Sequence, residues 1–202
     1  MTGRLTVKRR GDDLERSAEP IGLMHTWWRG DPLPVLPPLL HLTMAPTDDR
    51  DLLHDLTGLD EGELRERLER GHRPWLARIG DEPVAYGWVA TQEAAIDQFG
   101  LTLLFLPGDR YLWDFVTLPA WRGRGIYPRL LQSIVLHDGE GEQLWVGHDL
   151  DNVASLRGIA RAGFVAVGTL YRLPDRGYEF VSSGPIERAA AAAVLLEVPL
   201  AG

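Results

Sequence analysis

The 202-residue chain contains no cysteine. Disulfide staples, thiolate nucleophiles and cysteine-ligated zinc sites are therefore excluded. It has no apolar run long enough to cross a bilayer, and its N-terminus lacks the apolar core of a signal peptide. Positive charge is scarce: 21 Lys and Arg stand against 29 Asp and Glu, a formal charge of −8. Such a balance makes a poor nonspecific binder of nucleic acid. The six histidines, at 25, 41, 54, 72, 137 and 148, contain no His-x-x-x-His pair, so no metal site is expected. There is no Gly-x-Ser-x-Gly elbow, no Gly-Lys-Ser/Thr phosphate loop and no Gly-x-Gly-x-x-Gly fingerprint, which removes the commonest hydrolase, NTPase and dinucleotide-binding signatures. These absences fit the expectation of a cytoplasmic globular protein, and the apolar content of 45% is ordinary for one.

What is present centres on Trp121-Arg122-Gly123-Arg124-Gly125-Ile126-Tyr127. Upstream, Tyr111 to Leu118 is rich in aromatic and β-branched residues and reads as a strand that Pro119 ends. Downstream, Ile126, Leu130, Leu131, Ile134 and Val135 recur at helical spacing, and Pro128 fits only in a first turn. A strand therefore turns through two glycines into a helix. Glycines let backbone amides approach a ligand, and free N–H groups at a helix start favour phosphate. Arg122 and Arg124 add permanent charge suited to phosphate oxygens. By these residues alone, phosphate binding and a plain tight turn with solvated arginines remain equally open.

Patterning fixes the surrounding elements. Residues 4–9 read as a short strand, and the segment from there to about residue 47 as a proline-rich surface loop or irregular wall. His25, Trp27 and Trp28 lie in it, as packed aromatics or as the lining of a pocket. Asp48–Leu56 and the segment from Asp60, with Glu63 closing a capping box and Gly71 as left-handed cap, read as structural helices. Residues 75–79 and 84–89 form a hairpin, Leu101–Leu106 a further strand, and together an antiparallel meander leads to the Tyr111 strand. After the long helix come a strand at Leu144–Gly147, a helix capped by Asp151 or Asn152 and closed by Gly163, and strands at 164–173 and 178–181. The tail, with alanines 189–193, fits a terminal helix or an edge strand at Val194–Leu200. Strand–helix–strand connectivity makes the strands near 115 and 146 a parallel pair.

Two segments together carry a resemblance. Arg122-Gly123-Arg124-Gly125-Ile126-Tyr127 resembles the Gln/Arg-x-x-Gly-x-Gly/Ala pyrophosphate stretch of the GNAT superfamily of acyl-CoA N-acyltransferases, with Tyr127 in place of a small residue. Asn152 to Phe164 is similar to that family's Asn-x-x-Ala-x-x-x-Tyr-x-Lys-x-Gly-Phe segment, with Ile159 in place of the Tyr. The resemblance covers roughly residues 75–173. It implies an α/β (α+β) fold with a mixed, mostly antiparallel sheet, a central parallel strand pair and flanking helices. It implies one domain over 1–202: an acceptor-side segment at 1–74, an acyl-CoA-binding core at 75–173, and a strand and tail at 174–202.

By the same resemblance acetyl-CoA, or another acyl-CoA, is the co-substrate. Phe115, Val116 and Thr117 would face the pantetheine arm and the thioester carbonyl. The backbone of Gly123 to Tyr127, including Ile126, would hold the pyrophosphate with support from Arg122 and Arg124. Asn152 and Ser155 would touch the cofactor from the second helix. The acceptor would be a small-molecule amine or a protein amino group, and a homodimer, common in the family, is one open state. Ile159 cannot donate a proton, and neither Tyr111 nor Trp113 supplies the carboxylate often found on the central strand. Asp114 is the remaining candidate base, on the wrong face unless a bulge turns it. The rival expectation is a noncatalytic acyl-CoA-binding module.

Overall fold

The computed structural model describes residues 18–96, 99–137, 143–174 and 177–201. The strand expected at residues 4–9 lies outside them. Eleven strands and five α-helices are described: β1 (Glu19–Trp28), β2 (Leu42–Pro46), α1 (Arg50–Thr57), α2 (Glu61–Glu69), β3 (His72–Ile79), β4 (Glu82–Ala90), β5 (Glu93–Ile96), β6 (Leu101–Leu104), β7 (Asp109–Thr117), α3 (Ile126–His137), β8 (Gln143–His148), α4 (Val153–Ala162), β9 (Val165–Leu173), β10 (Gly177–Ser182), α5 (Ile186–Leu195) and β11 (Leu200–Ala201). Nine of the strands form one sheet in the order β11-β10-β9-β1-β8-β7-β4-β3-β2, and β5–β6 stand apart as a two-stranded hairpin. Within the large sheet β7–β8 and β10–β11 pair in parallel and the other neighbours are antiparallel. Among the described residues no helix is long and apolar enough to cross a membrane.

The sheet is covered on both faces. The apolar stripe of α3 (Ile126, Leu130, Leu131, Ile134, Val135) and Ile159 of α4 pack with Trp27, Leu112, Leu144 and Val146 in one cluster. The alanine face of α5, with Leu195, packs with Met24, Tyr111, Trp145 and Phe180 in another. A third, smaller cluster joins Leu53 of α1 and Leu64 of α2 to Trp88. The capping box stands as expected, Asp60 accepting from the Glu63 amide at 2.9 Å while Glu63 accepts from the Asp60 amide at 2.8 Å.

Three expectations need correction. The segment before residue 47 is not simply a wall: β1 sits mid-sheet between β8 and β9, with His25 and Trp27 buried. The prolines that suggested a loop start only at Pro32, after β1 has ended, and the stretch at 31–39 is indeed irregular. Pro46 then closes β2, an edge strand where a missing N–H costs no ladder bond. Leu101–Leu106 does not join the meander. Its first four residues pair with β5 instead, so β4 passes directly to β7. The tail is both helix and strand, because α5 ends at Leu195 and the chain still reaches the edge of β10.

Candidate active site

The parallel pairing of β7 and β8 runs from Asp109–Gln143 to Leu112–Val146 and stops, although both strands continue. Beyond that point β8 is held by β1, with Leu23 opposite His148. Meanwhile β7 stays on β4 through a bulge. Trp88 opposes Trp113 and Tyr86 opposes Val116, so β7 carries one extra residue between them. Asp114 takes up that residue with φ at +52°, a left-handed backbone that Asp adopts more readily than most side chains. Between the parted strands lies a cavity of about 330 Å³, walled by Trp113, Asp114 and Phe115 on one side and Gly147, His148 and Asp149 on the other. The bulge thus brings Asp114 to the cavity wall, against simple alternation.

Asp114 is not alone there. Arg67 of α2 donates to its Oδ2 at 2.6 Å. The same guanidinium lies over the Trp113 ring at 4.4 Å and the Trp88 ring at 5.0 Å. Two indole faces and a carboxylate satisfy one cation, and α2 is thereby pinned to the bulge. Phe115 turns to the opposite face, its ring lying over Gly87. A Cβ at Gly87 would meet that ring at 2.1 Å, so only glycine fits opposite it. Phe115 also contacts the Tyr127 ring at 5.4 Å between centroids.

Past Thr117, a short 3₁₀ turn at Pro119–Trp121 leads to the glycine loop. Gly123 and Gly125 have φ of +77° and +70°, which turn the chain into α3. The first N–H groups of a helix have no acceptor within it, and those of α3 open onto this loop. Its arginines are placed by neighbours: Arg122 Nε donates to the Thr117 carbonyl at 3.1 Å, and the Arg124 guanidinium sits 4.6 Å from the centre of the Trp121 ring. Arg129 donates to the carbonyls of Gly125, at 2.5 Å, and of Pro37. Partial burial, and then Arg161 nearby, lower the pKa of Arg129 from its ordinary value. Four arginines therefore surround one helix start. Ile126 is 1% exposed, so toward a ligand it has only its backbone to offer.

The third side comes from α4. Asn152 caps it, its Oδ1 accepting from the Ser155 amide at 3.0 Å. Ser155 Oγ lies 3.4 Å from the Tyr127 hydroxyl. Burial pushes the Tyr127 phenol up to about 12, and the Ser155 hydrogen bond pulls the other way. Ile159, at the position where the resemblance would put a Tyr, is fully buried. Of the residues singled out in the sequence, Asp114, Phe115, Tyr127, Asn152 and Ser155 meet in the cavity wall. Val116, Thr117 and Arg122 to Ile126 are not part of that wall and form the strand end and loop beside it.

Of the remaining wall residues, His148 and Asp149 carried no signal in the sequence. His148 Nδ1 donates to the Asp149 carbonyl at 2.7 Å, and its ring lies 5.1 Å from that of His25. Burial, and then His148, bring the pKa of His25 down to about 4. Tyr111 is buried with its phenol pushed up to about 12, chiefly by that burial. Gly147 leaves room for its hydroxyl, since a Cβ there would lie 3.0 Å from it. Apart from the His148–Asp149 hydrogen bond, these contacts join residues far apart in the chain, which local patterning cannot reveal.

Among solved structures, a GNAT-family acetyltransferase from Colwellia psychrerythraea is similar at 18% identity and a TM-score of 0.51, over 74% of this chain and 54% of its own. A GCN5-related N-acetyltransferase from Kribbella flavida is similar at 15% identity and a TM-score of 0.49, over 76% and 58%. An acetyltransferase from Bacillus subtilis, solved in complex with CoA, is similar at 15% identity and a TM-score of 0.48, over 61% and 76%. The chain spans little more than half the length of the first two. No curated protein sequence matches it significantly. The model of the acetyltransferase (GNAT) family matches residues 39–164, more than half of the chain, and the chain belongs to that family.

Proposed function

We propose that the chain transfers an acyl group, acetyl in the first instance, from acyl-CoA to the nitrogen of an amine. One observation carries this reading: the cavity between β7 and β8 includes Tyr127, in the first turn of α3. A thioester laid in the gap would therefore have its pyrophosphate end at the glycine loop. There the amides of residues 123–127 and the arginines at 122 and 124 would meet its charge. The backbone of Phe115 to Thr117, left unpaired by β8, would align the pantetheine and polarise the carbonyl. Asn152 and Ser155 would touch the cofactor from α4.

In the transfer the amine nitrogen attacks the thioester carbon, the C–N bond forms and the C–S bond breaks. Sulfur leaves as a thiolate, whose pKa near 8.5 lets it depart without a strong acid beside it. That suits a site with Ile159 in place of a Tyr. The amine must shed its proton before or during attack, and we assign that proton to Asp114, directly or through water, with Arg67 holding the carboxylate in place. The acceptor is an amine of a small molecule or of a protein.

A thermal-shift screen of CoA thioesters against nucleotides tests the cofactor. A bound ligand at about 100 times its dissociation constant adds about 2.7 kcal/mol of stability. Stabilisation by ATP and not by CoA thioesters would reject the proposal. Thioester binding with no turnover on any amine would leave a binding module, for which the buried Ile159 is the structural argument.

A further inference from the structure

The cavity is polar on one side and apolar on the other. Toward α3 and α4 it meets the Tyr127 hydroxyl, Asn152 and Ser155, and in the gap itself Asp114, His148 and Asp149. The remaining wall belongs to β1, the β5–β6 hairpin, β9, β10 and the residue after α5. From these come Met24, Ile96, Phe99, Leu170, Phe180 and Leu196, and among the described residues they contribute no charged or polar side chain to the wall. Met24, Leu170, Phe180 and Leu196 are buried at 6% exposure or less, so this floor belongs to the core under α5 and is not a loose surface.

Resting on the acyltransferase reading, we infer that the acceptor is a primary amine with a single charge and an apolar alkyl or arylalkyl body. The attacking nitrogen has to lie in the gap, at the thioester carbonyl, beside Asp114, His148 and Asp149, where the Asp114 carboxylate held by Arg67 takes its proton. The rest of the acceptor then extends onto the α5 side, where the described wall residues are all apolar. A second ammonium there would lose its hydration with no carboxylate among the described wall residues facing it, a large cost. Polyamines and other polycationic acceptors are thereby disfavoured. An acyl chain longer than acetyl is the competing occupant of the same floor, and the acyl-CoA series below separates the two.

The experiment is a kcat/KM series with acetyl-CoA and methylamine, butylamine, heptylamine, phenethylamine and spermidine, run beside binding of acetyl-CoA by calorimetry. Burial of one methylene is worth about fourfold, so kcat/KM is expected to climb by about that factor per carbon until the floor is covered, with spermidine the poorest. A flat series, or spermidine ahead of heptylamine, overturns the inference. So does a climb along acetyl-, butyryl- and hexanoyl-CoA with the amines indifferent, which would give the floor to the acyl chain. No turnover with these five amines while acetyl-CoA still binds overturns the inference alone, whereas absence of acetyl-CoA binding overturns the acyltransferase reading with it. Ile96 is only half-buried and serves as the variant. Ile96→Lys is expected to lower kcat/KM for heptylamine at least tenfold, with a cooperative melt and unchanged acetyl-CoA affinity. If Ile96→Lys does not fold, Ile96→Ala is expected to cost severalfold for heptylamine and nothing for methylamine. Equal effects on both amines would overturn the assignment.

Discussion

Tyr127 and Gly158 occupy each other's space: a Cβ built on Gly158 would lie 2.4 Å from the Tyr127 ring. The large residue in the first turn of α3 is accommodated by the absence of one on α4. Gly158→Ala therefore sets two terms against each other. Alanine favours a helix interior by about 1 kcal/mol over glycine, while overpacking costs about 1–3 kcal/mol. In the native background the clash is expected to win and lower the urea midpoint. In a Tyr127→Ala background the same change is expected to raise it. The same sign in both backgrounds would show that the ring moves aside freely.

The loop arginines test the pyrophosphate assignment. Among the described residues Arg122 and Arg124 make only exposed contacts, with the Thr117 carbonyl and the Trp121 ring, so removing both is expected to leave the ligand-free Tm nearly unchanged. Charged hydrogen bonds to phosphate are worth about 1.5–3 kcal/mol each when well made. Replacing both by Ala should weaken acetyl-CoA binding at least about tenfold, with some affinity surviving through the backbone amides. Unchanged affinity by calorimetry would mark them as a solvated face.

Local signals account for what was legible. The glycine loop, the apolar stripe of α3, the Asp60–Glu63 box and the Asn152 and Gly163 ends of α4 are all written within a few residues of themselves, and the structure keeps them. The parallel pair followed from connectivity. Strand β1 was hidden because its pattern runs straight into the prolines that follow. The cavity was half visible: its helix side lies in the two motif segments, whereas its floor is assembled from β1, β5–β6, β9, β10 and α5, which no local pattern connects. The bulge at Asp114 is equally silent, since it is defined only by the register of β4. Arg67 sits on a helix that reads as structural, and its partner is 47 residues away.

Asp114 and Arg67 should separate in kinetics. Asp114→Asn keeps the size and the bulge but removes the proton acceptor. A fall of about 100-fold in kcat, with a cooperative melt and unchanged acetyl-CoA affinity, is expected for a general base. In the native protein kcat/KM is expected to rise with pH to a plateau. Arg67→Met keeps apolar packing between the two indoles but frees the carboxylate, and should lower kcat by a smaller factor while leaving KM for acetyl-CoA alone. Normal turnover in folded Asp114→Asn would reassign the carboxylate to holding α2 on the bulge.

His25 predicts how stability falls with acid. Its ring is 2% exposed, stacks obliquely on His148, and its Nδ1 has no hydrogen-bond partner among the described residues. Burial, and then His148, hold its pKa at about 4, against an ordinary 6.5 in the unfolded chain. Above pH 6.5 the ring is neutral in both states and contributes no pH dependence. Between 6.5 and 4 the unfolded chain takes up a proton that the folded one refuses, so stability drops as pH falls. The slope approaches 1.4 kcal/mol per pH unit, for a total of about 3 kcal/mol at pH 4. Burial also lowers the pKa of His72, so it adds to the native slope in the same direction. Asp31, whose pKa Arg188 lowers from 3.8, loses its contribution only at lower pH. The informative quantity is therefore a difference. Urea midpoints of the native protein and of His25→Leu, measured from pH 7 to pH 4.5, should diverge, with the variant losing less stability on acidification. Parallel curves would mean that His25 takes up its proton in the folded state, through an opening between β1 and the end of β8.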